Sequence, residues 1–142
     1  MIPKFRVWDK DLKIVKPVAY IDWQKQIVAY YIGNFAVATN PIKKITLMKS
    51  SGLNDKTGVE IYEGDILLST ASENQEDLKK WRVHYTDGRF LIDYKDIPKD
   101  KRKRTNFEIE DLCEDNIWRY GLKVIGNIYE NHNLIEGTEE VK

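Results

Sequence analysis

Cysteine is almost missing: Cys113 stands alone in 142 residues, which excludes an internal disulfide. Histidine is as sparse, and Cys113 with His84 and His132 cannot assemble a closed Cys/His zinc site. No apolar run approaches the roughly 18 residues that a membrane span needs. The opening MIPKFRVWDK carries charge where a secretory leader would carry its apolar segment. Net charge is absent as well, since 23 Lys and Arg balance 23 Asp and Glu, and the total therefore gives no sign of a polyanionic partner. The expectation is a cytoplasmic protein without cofactor, metal or membrane partner.

What the chain has in plenty is β pattern. Hydrophobic residues make up 42% and charged residues 32%, a soluble globular composition, and the length suits one domain, residues 1–142. Phe5-Arg6-Val7-Trp8 alternates before the polar turn DKDLK, and IVAYYI from Ile27 is bounded by Gly33-Asn34 before FAVAT resumes. Lys44 to Met48 reads as another strand, and LKVIGNIYE as the last. Trp81 to Tyr85 and Phe90 to Tyr94 flank Thr86-Asp87-Gly88-Arg89, a hairpin signal with Asp-Gly at its tip. Helix signals are few. Ser72 with Gln75 resembles a capping box leading into EDLKKW, and Thr105 with Glu108 another before DLCED, although Phe107-Glu108-Ile109-Glu110 alternates equally well as strand. Asn133 to Glu136 reads as one closing helical turn.

The stretch LNDKTGVEIYEGDILL, Leu53 to Leu68, gathers Asp55, Glu60, Glu63 and Asp65. A structural reading makes it tight β structure. Asp55 accepts a backbone N–H at the start of a turn, Gly58 takes the positive φ that ends it, Gly64 permits the next bend and Asp65 ties that bend down. Val59, Ile61, Ile66 and Leu68 then point to one side and Glu60 and Tyr62 to the other. A catalytic reading needs two of these acids to converge across a cleft within about 5 to 10 Å, one with a raised pKa. The turn chemistry favours the structural reading.

Three blocks carry a family resemblance: KFRVWDK at Lys4 to Lys10, TLMKSSGLNDKTGVEIYEGDILL at Thr46 to Leu68, and VIGNIYENHNLI at Val124 to Ile135. In these blocks the sequence resembles the YopX family of small phage and prophage proteins. The middle block is the most specific: Leu-Met, a short polar step, Gly-Leu, Asp-Lys, Gly, then Glu-Ile-Tyr-Glu-Gly-Asp and apolar residues. His132 departs from the pattern, which has proline after Glu130-Asn131. The resemblance implies a mainly β fold, an SH3-type partly open barrel with an N-terminal β extension and a few short helices. Core blocks fall at residues 4–10, 46–68 and 122–136, with a charged insertion at about 71–104. No established activity comes with it. Gly126, mid-strand in VIGNIYE, reads as a bulge or corner rather than a ligand contact.

Two features remain. The basic run Lys99 to Arg104, with Lys95, offers Lys95, Lys99, Lys101, Arg102, Lys103 and Arg104 to phosphates, flanked by Tyr94 and Phe107. Asp93, Asp96 and Asp100 interleave with these cations, and a solvated loop is the plainer explanation. The other feature is the aromatic content, 4 Trp and 8 Tyr, with Trp8, Trp23, Tyr30, Tyr31, Trp81 and Trp118 as candidate interface residues. Nucleophilic and phosphate-binding motifs are missing: Cys113 sits in the acidic context DLCED, and Ser50-Ser51-Gly52 is too short for a P-loop. The leading expectation is a non-catalytic interaction or assembly module with a protein partner, including a second copy of itself. The alternative is a weak nucleic-acid-binding protein, and a third reading is an enzyme using Glu60, Glu63 and Asp65.

Overall fold

The structure, a computed structural model, describes residues 4–34, 36–71, 78–96, 102 and 106–135. Among them the chain is mainly β, with two antiparallel sheets, few short helices and no closed barrel. It divides into two compact units, Met1–Ser50 and Ser51–Lys142.

The first unit is a sheet of β1 (Phe5–Asp9), β2 (Ile14–Asp22), β3 (Ile27–Tyr31), β4 (Val37–Pro41) and the opening half of β5 (Thr46–Asn54), in the order β4-β3-β2-β1-β5. A 3-10 turn, Ile42–Lys44, leads into β5. Alternation along the strands sends Val7, Val28 and Tyr30 into one core, with Val18, Ile21, Ala38, Ile42, Ile45 and Leu47 packed around them. The turn after β1 is shaped by Asp9, whose Oδ1 accepts the N–H of Asp11 at 2.9 Å and of Leu12 at 3.0 Å. Strand β2 contains Pro17, which cannot donate to a ladder. The register resolves this: Pro17 pairs with Arg6 of β1, whereas pairing to β3 begins at Val18.

The second unit takes the rest of β5, then β6 (Glu60–Tyr62), β7 (Asp65–Ser69), β8 (Lys80–Thr86), β9 (Arg89–Asp96), β10 (Asn106–Asp111), α1 (Glu114–Tyr120) and β11 (Leu122–Asn127). Its five-stranded sheet runs β10-β9-β8-β7-β11. Asp87 and Gly88 have φ of 51° and 80°, the left-handed pair that a two-residue hairpin between β8 and β9 requires. The core gathers Ile61, Leu67, Trp81, Val83, Ile92, Leu112, Ile117 and Leu122. The Trp81 ring stacks on Tyr120 with centroids 5.7 Å apart and meets Tyr94 at 5.5 Å. Strands β8 and β9 lie inside the charged insertion, yet they supply Trp81, Val83 and Ile92 to this core.

Several local expectations are corrected. Asn106–Asp111 is a strand paired to β9 along its whole length, from Asn106 opposite Asp96 to Asp111 opposite Leu91, so the capping pattern at Thr105 and Glu108 starts no helix there. The helix begins later, at Glu114, with Glu114 and Asp115 in its first turn and Gly121 at φ 59° ending it. In EDLKKW, residues 72–77 lie outside the described residues, while Lys80 and Trp81 belong to β8. Val59 is half exposed, because β6 begins only at Glu60. In β7 it is Leu67 that joins Ile61 in the core cluster, with Ile66 and Leu68 on the other side of the strand. Asn133 to Ile135 form the last described helical turn.

Candidate functional site

The acidic stretch is a set of backbone clamps. Asp55 is almost fully buried, and its Oδ1 accepts the N–H of Thr57 at 2.8 Å, the Thr57 hydroxyl at 2.7 Å and the N–H of Val59 at 2.9 Å. Its Oδ2 accepts the N–H of Val124 at 2.8 Å, which fastens the turn to β11 from 69 residues away. Burial pushes the Asp55 carboxyl up, but the bonds from Val124, Thr57 and Val59 outweigh it and hold the group below the ordinary carboxylate value. Gly58 closes this turn at φ 91°, where a side chain would be strained.

The next bend works the same way. Gly64 sits at φ 87°, its N–H donates to Val83 O at 2.9 Å and its carbonyl accepts the N–H of Ile128 at 2.9 Å. Asp65, buried, accepts the N–H of Tyr62 through Oδ2 at 2.8 Å. Glu60, in β6, and Glu63, on this turn, are half-buried. At the end of β11 the register shifts between Val124 and Gly126. A Cβ on Gly126 would fall 2.5 Å from Asn131 Oδ1, the atom that accepts the Asn127 N–H at 3.1 Å. Asn127 Oδ1 in turn accepts the N–H groups of Tyr129 at 3.0 Å and Glu130 at 2.8 Å. Chemically, the two buried carboxylates and Asn127 hold turns in place.

Two polar clusters escaped sequence reasoning. In the first unit, the Tyr30 hydroxyl donates to Asp9 Oδ2 and accepts from Asn40 Nδ2, the latter at 2.6 Å. Tyr30, together with the N–H groups of Leu12 and Asp11, holds Asp9 below its ordinary value, while burial and the bond to Asp9 push the Tyr30 phenol up. In the second unit, Asp93 lies opposite Arg82 in register; its Oδ1 is 3.3 Å from Arg82 Nε and its Oδ2 is 2.8 Å from His84 Nε2. Burial raises the Asp93 carboxyl, but His84 and Arg82 more than reverse this and leave it below the usual range. Alternation in β8 places Arg82 and His84 on one side, and the two-residue Asp87-Gly88 loop sets the register that brings Arg82 opposite Asp93.

The candidate aromatics separate. Trp23, Tyr31 and Trp118 are exposed and Trp8 is half-buried. Tyr30 and Trp81 are core residues, 0% and 1% exposed, and neither presents its ring at the surface: the alternation that leaves Tyr31 in water turns Tyr30 inward, and Trp81 packs against Tyr94 and Tyr120. Phe107, which flanks the basic run, is exposed, and so are Tyr20 and Ile109, which the sequence did not single out. Of the basic set, Lys95 and Arg102 are exposed, whereas Lys99, Lys101, Lys103 and Arg104 lie outside the described residues. Tyr94 packs against Trp81 and under Lys79 Nζ, 4.8 Å from the ring centre, so it is no open platform for a base. Among the described residues no group of acidic, His or Cys side chains could hold a metal ion, and no helix is long and apolar enough to cross a membrane.

Fold and site together define a mainly β protein whose buried carboxylates serve its own backbone. The family model for YopX protein matches residues 4–136, nearly the whole chain, and the protein belongs to that family. It is similar to the crystal structure of protein EF1440 from Enterococcus faecalis, at 29% identity and a TM-score of 0.63, over 96% of this chain and 99% of that one. No curated protein matches it.

Proposed function

We propose that the protein is a non-catalytic interaction module of phage or prophage origin, acting in the cytoplasm of the bacterial host, and that its partner is protein, including a second copy of itself. The observation that carries this reading is the exposure of large apolar side chains: Trp23 at 66%, Trp118 at 64%, Ile109 at 56% and Tyr20 at 55%. Such side chains gain about 25 cal/mol for each Å² removed from water, and Trp and Tyr are the rings that dominate protein interfaces. The absence of an enzymatic role is supported from the other side, since Asp55 and Asp65 are engaged by backbone N–H groups. An SH3-type arrangement for the second unit is supported by the sharp entry into β7 through Gly64 and Asp65 and by the bulge in β11.

The test is a pull-down of the full chain from infected or lysogenic cells, with and without nuclease. The reading expects a protein partner in fixed ratio, retained after nuclease and lost when Trp23 and Trp118 are both changed to serine. Material that disappears with nuclease would contradict it and promote the nucleic-acid reading.

A further inference from the structure

We infer that a second copy of this chain adds to the free edge of β4, its own β4 running antiparallel, so that the sheet of the first unit continues across a two-fold axis. This deepens, and rests on, the self-association reading above. An edge strand presents unpaired N–H and C=O groups, and proteins normally blunt it with charge, shortness, bulges or covering groups. Proline on the edge is a further device, and β4 has one such residue, Pro41 at its end, while the other described edges carry more. β6 is 3 residues long, and its Tyr62 N–H is taken by Asp65. β11 is bulged, its Val124 N–H is bonded to Asp55 Oδ2 and its Leu122 carbonyl accepts the N–H of Lys56. β10 carries Glu108, Glu110 and Asp111, which would repel a second β10.

Strand β4, Val-Ala-Thr-Asn-Pro, has no charged residue and no described strand on its outer side. Its hydrogen-bond phase can be read from its ends. Ile32 N–H donates to Ala36 O and Ile42 N–H to Gln26 O, so the bonded pairs with β3 are those of Ala38 with Tyr30 and Asn40 with Val28. The backbone groups of Val37, Thr39 and Pro41 therefore face outward. They offer N–H donors at Val37 and Thr39 and carbonyls at all three; Pro41, having no N–H, sits on the side where its missing donor breaks no bond to β3.

This edge favours a copy of itself as occupant on two grounds. Two-fold pairing makes each outward donor meet an outward carbonyl of the same short segment, as an isologous contact demands, and it brings no like charges together. Val37 lies directly opposite Tyr31 in the β3–β4 register, and both are exposed, so an apolar pair borders the edge and would continue into its symmetry mate.

Amide exchange on the full chain, read residue by residue at rising protein concentration, tests the edge. The N–H groups of Ala38 and Asn40 should be protected at every concentration. Those of Val37 and Thr39 should exchange freely when dilute and slow by at least about tenfold as copies pair, in step with the mass measured by sedimentation. Changing Val37 and Thr39 to lysine, both exposed positions, should raise the dissociation constant more than about tenfold by placing like charge on the edge, with the melt of the dilute, monomeric chain nearly unchanged. An associating protein whose Val37 and Thr39 amides stay unprotected, or whose lysine variant associates as before, overturns the β4 edge while self-association stands. A wild-type chain that remains monomeric at all concentrations overturns both.

Discussion

Replacing Asp55 by alanine removes one side chain and orphans four donors. The N–H groups of Thr57, Val59 and Val124 and the Thr57 hydroxyl all end on this carboxylate. Thr57 and Val59 are exposed, so water takes over their bonds and the loss there is small. Val124 is half-buried in β11, and its N–H also fixes the turn to the strand. A charged acceptor lost from a buried donor costs about 1–3 kcal/mol, and the loosened turn adds the loss of a cap-like contact, so a total of about 2–4 kcal/mol is expected. In urea this moves the midpoint by about 1 M or more at ordinary slopes. The Asp55→Asn variant keeps one acceptor oxygen and should lose less, while still losing the pH response. The sign follows from the depressed folded pKa of Asp55. Its stabilising contribution is complete above the unfolded value near 3.9 and fades as pH falls through the lower folded value, where both states bind the proton. Wild type should therefore lose more stability than Asp55→Asn between neutral pH and about pH 3, with Asp9 and Asp93, also depressed, adding to the fall in both proteins. Urea titrations of the three proteins at both pH values are the assay. An unchanged midpoint for Asp55→Ala would refute the clamp.

Gly64→Val should destabilise by more than about 1 kcal/mol, and Gly64→Ala by less, because φ 87° strains a β-branched residue and bonds on both sides hold the backbone there; equal melts for valine and glycine would contradict this. Tyr30→Phe should cost about 1–2 kcal/mol by removing the hydroxyl between Asp9 and Asn40, and a silent melt would show that water replaces it. For the basic segment, duplex binding no tighter than about 10⁻⁴ to 10⁻⁶ M is expected at physiological salt. A fluorescence titration finding nanomolar, salt-sensitive affinity, lost when Lys101, Arg102, Lys103 and Arg104 become glutamate, would contradict that.

Where structure is decided by neighbours along the chain, the sequence could be read. Asp87-Gly88 names its own hairpin because few residues other than glycine and its near equivalents take both left-handed positions, and Asp55 to Gly58 names its turn for the same reason. Where structure is decided across the chain, it could not. Helix α1 buries Ile117 but leaves Trp118 in water, and its local cues are only the acidic first turn at Glu114 and Asp115 and Gly121 at its end. Pro17 argues against a central strand at β2, and only the register, which sets it outside the β3 pairing, removes the objection. Asp9 meets Tyr30 across 21 residues and Asp55 meets Val124 across 69, separations at which residue types carry no pairing signal. The same holds for Tyr30 and Tyr31: adjacent, alike in chemistry, and sent to opposite faces by the strand period.

The central claim, an interaction module that meets its partner through exposed apolar surface, is tested most directly by the mass of the purified chain in solution. Sedimentation velocity over a rising concentration series should show a species above 16.7 kDa at micromolar protein, with the same proportion in low and high salt, because apolar association persists where charge pairing is screened. A single 16.7 kDa species throughout the series would contradict the self-association at its centre.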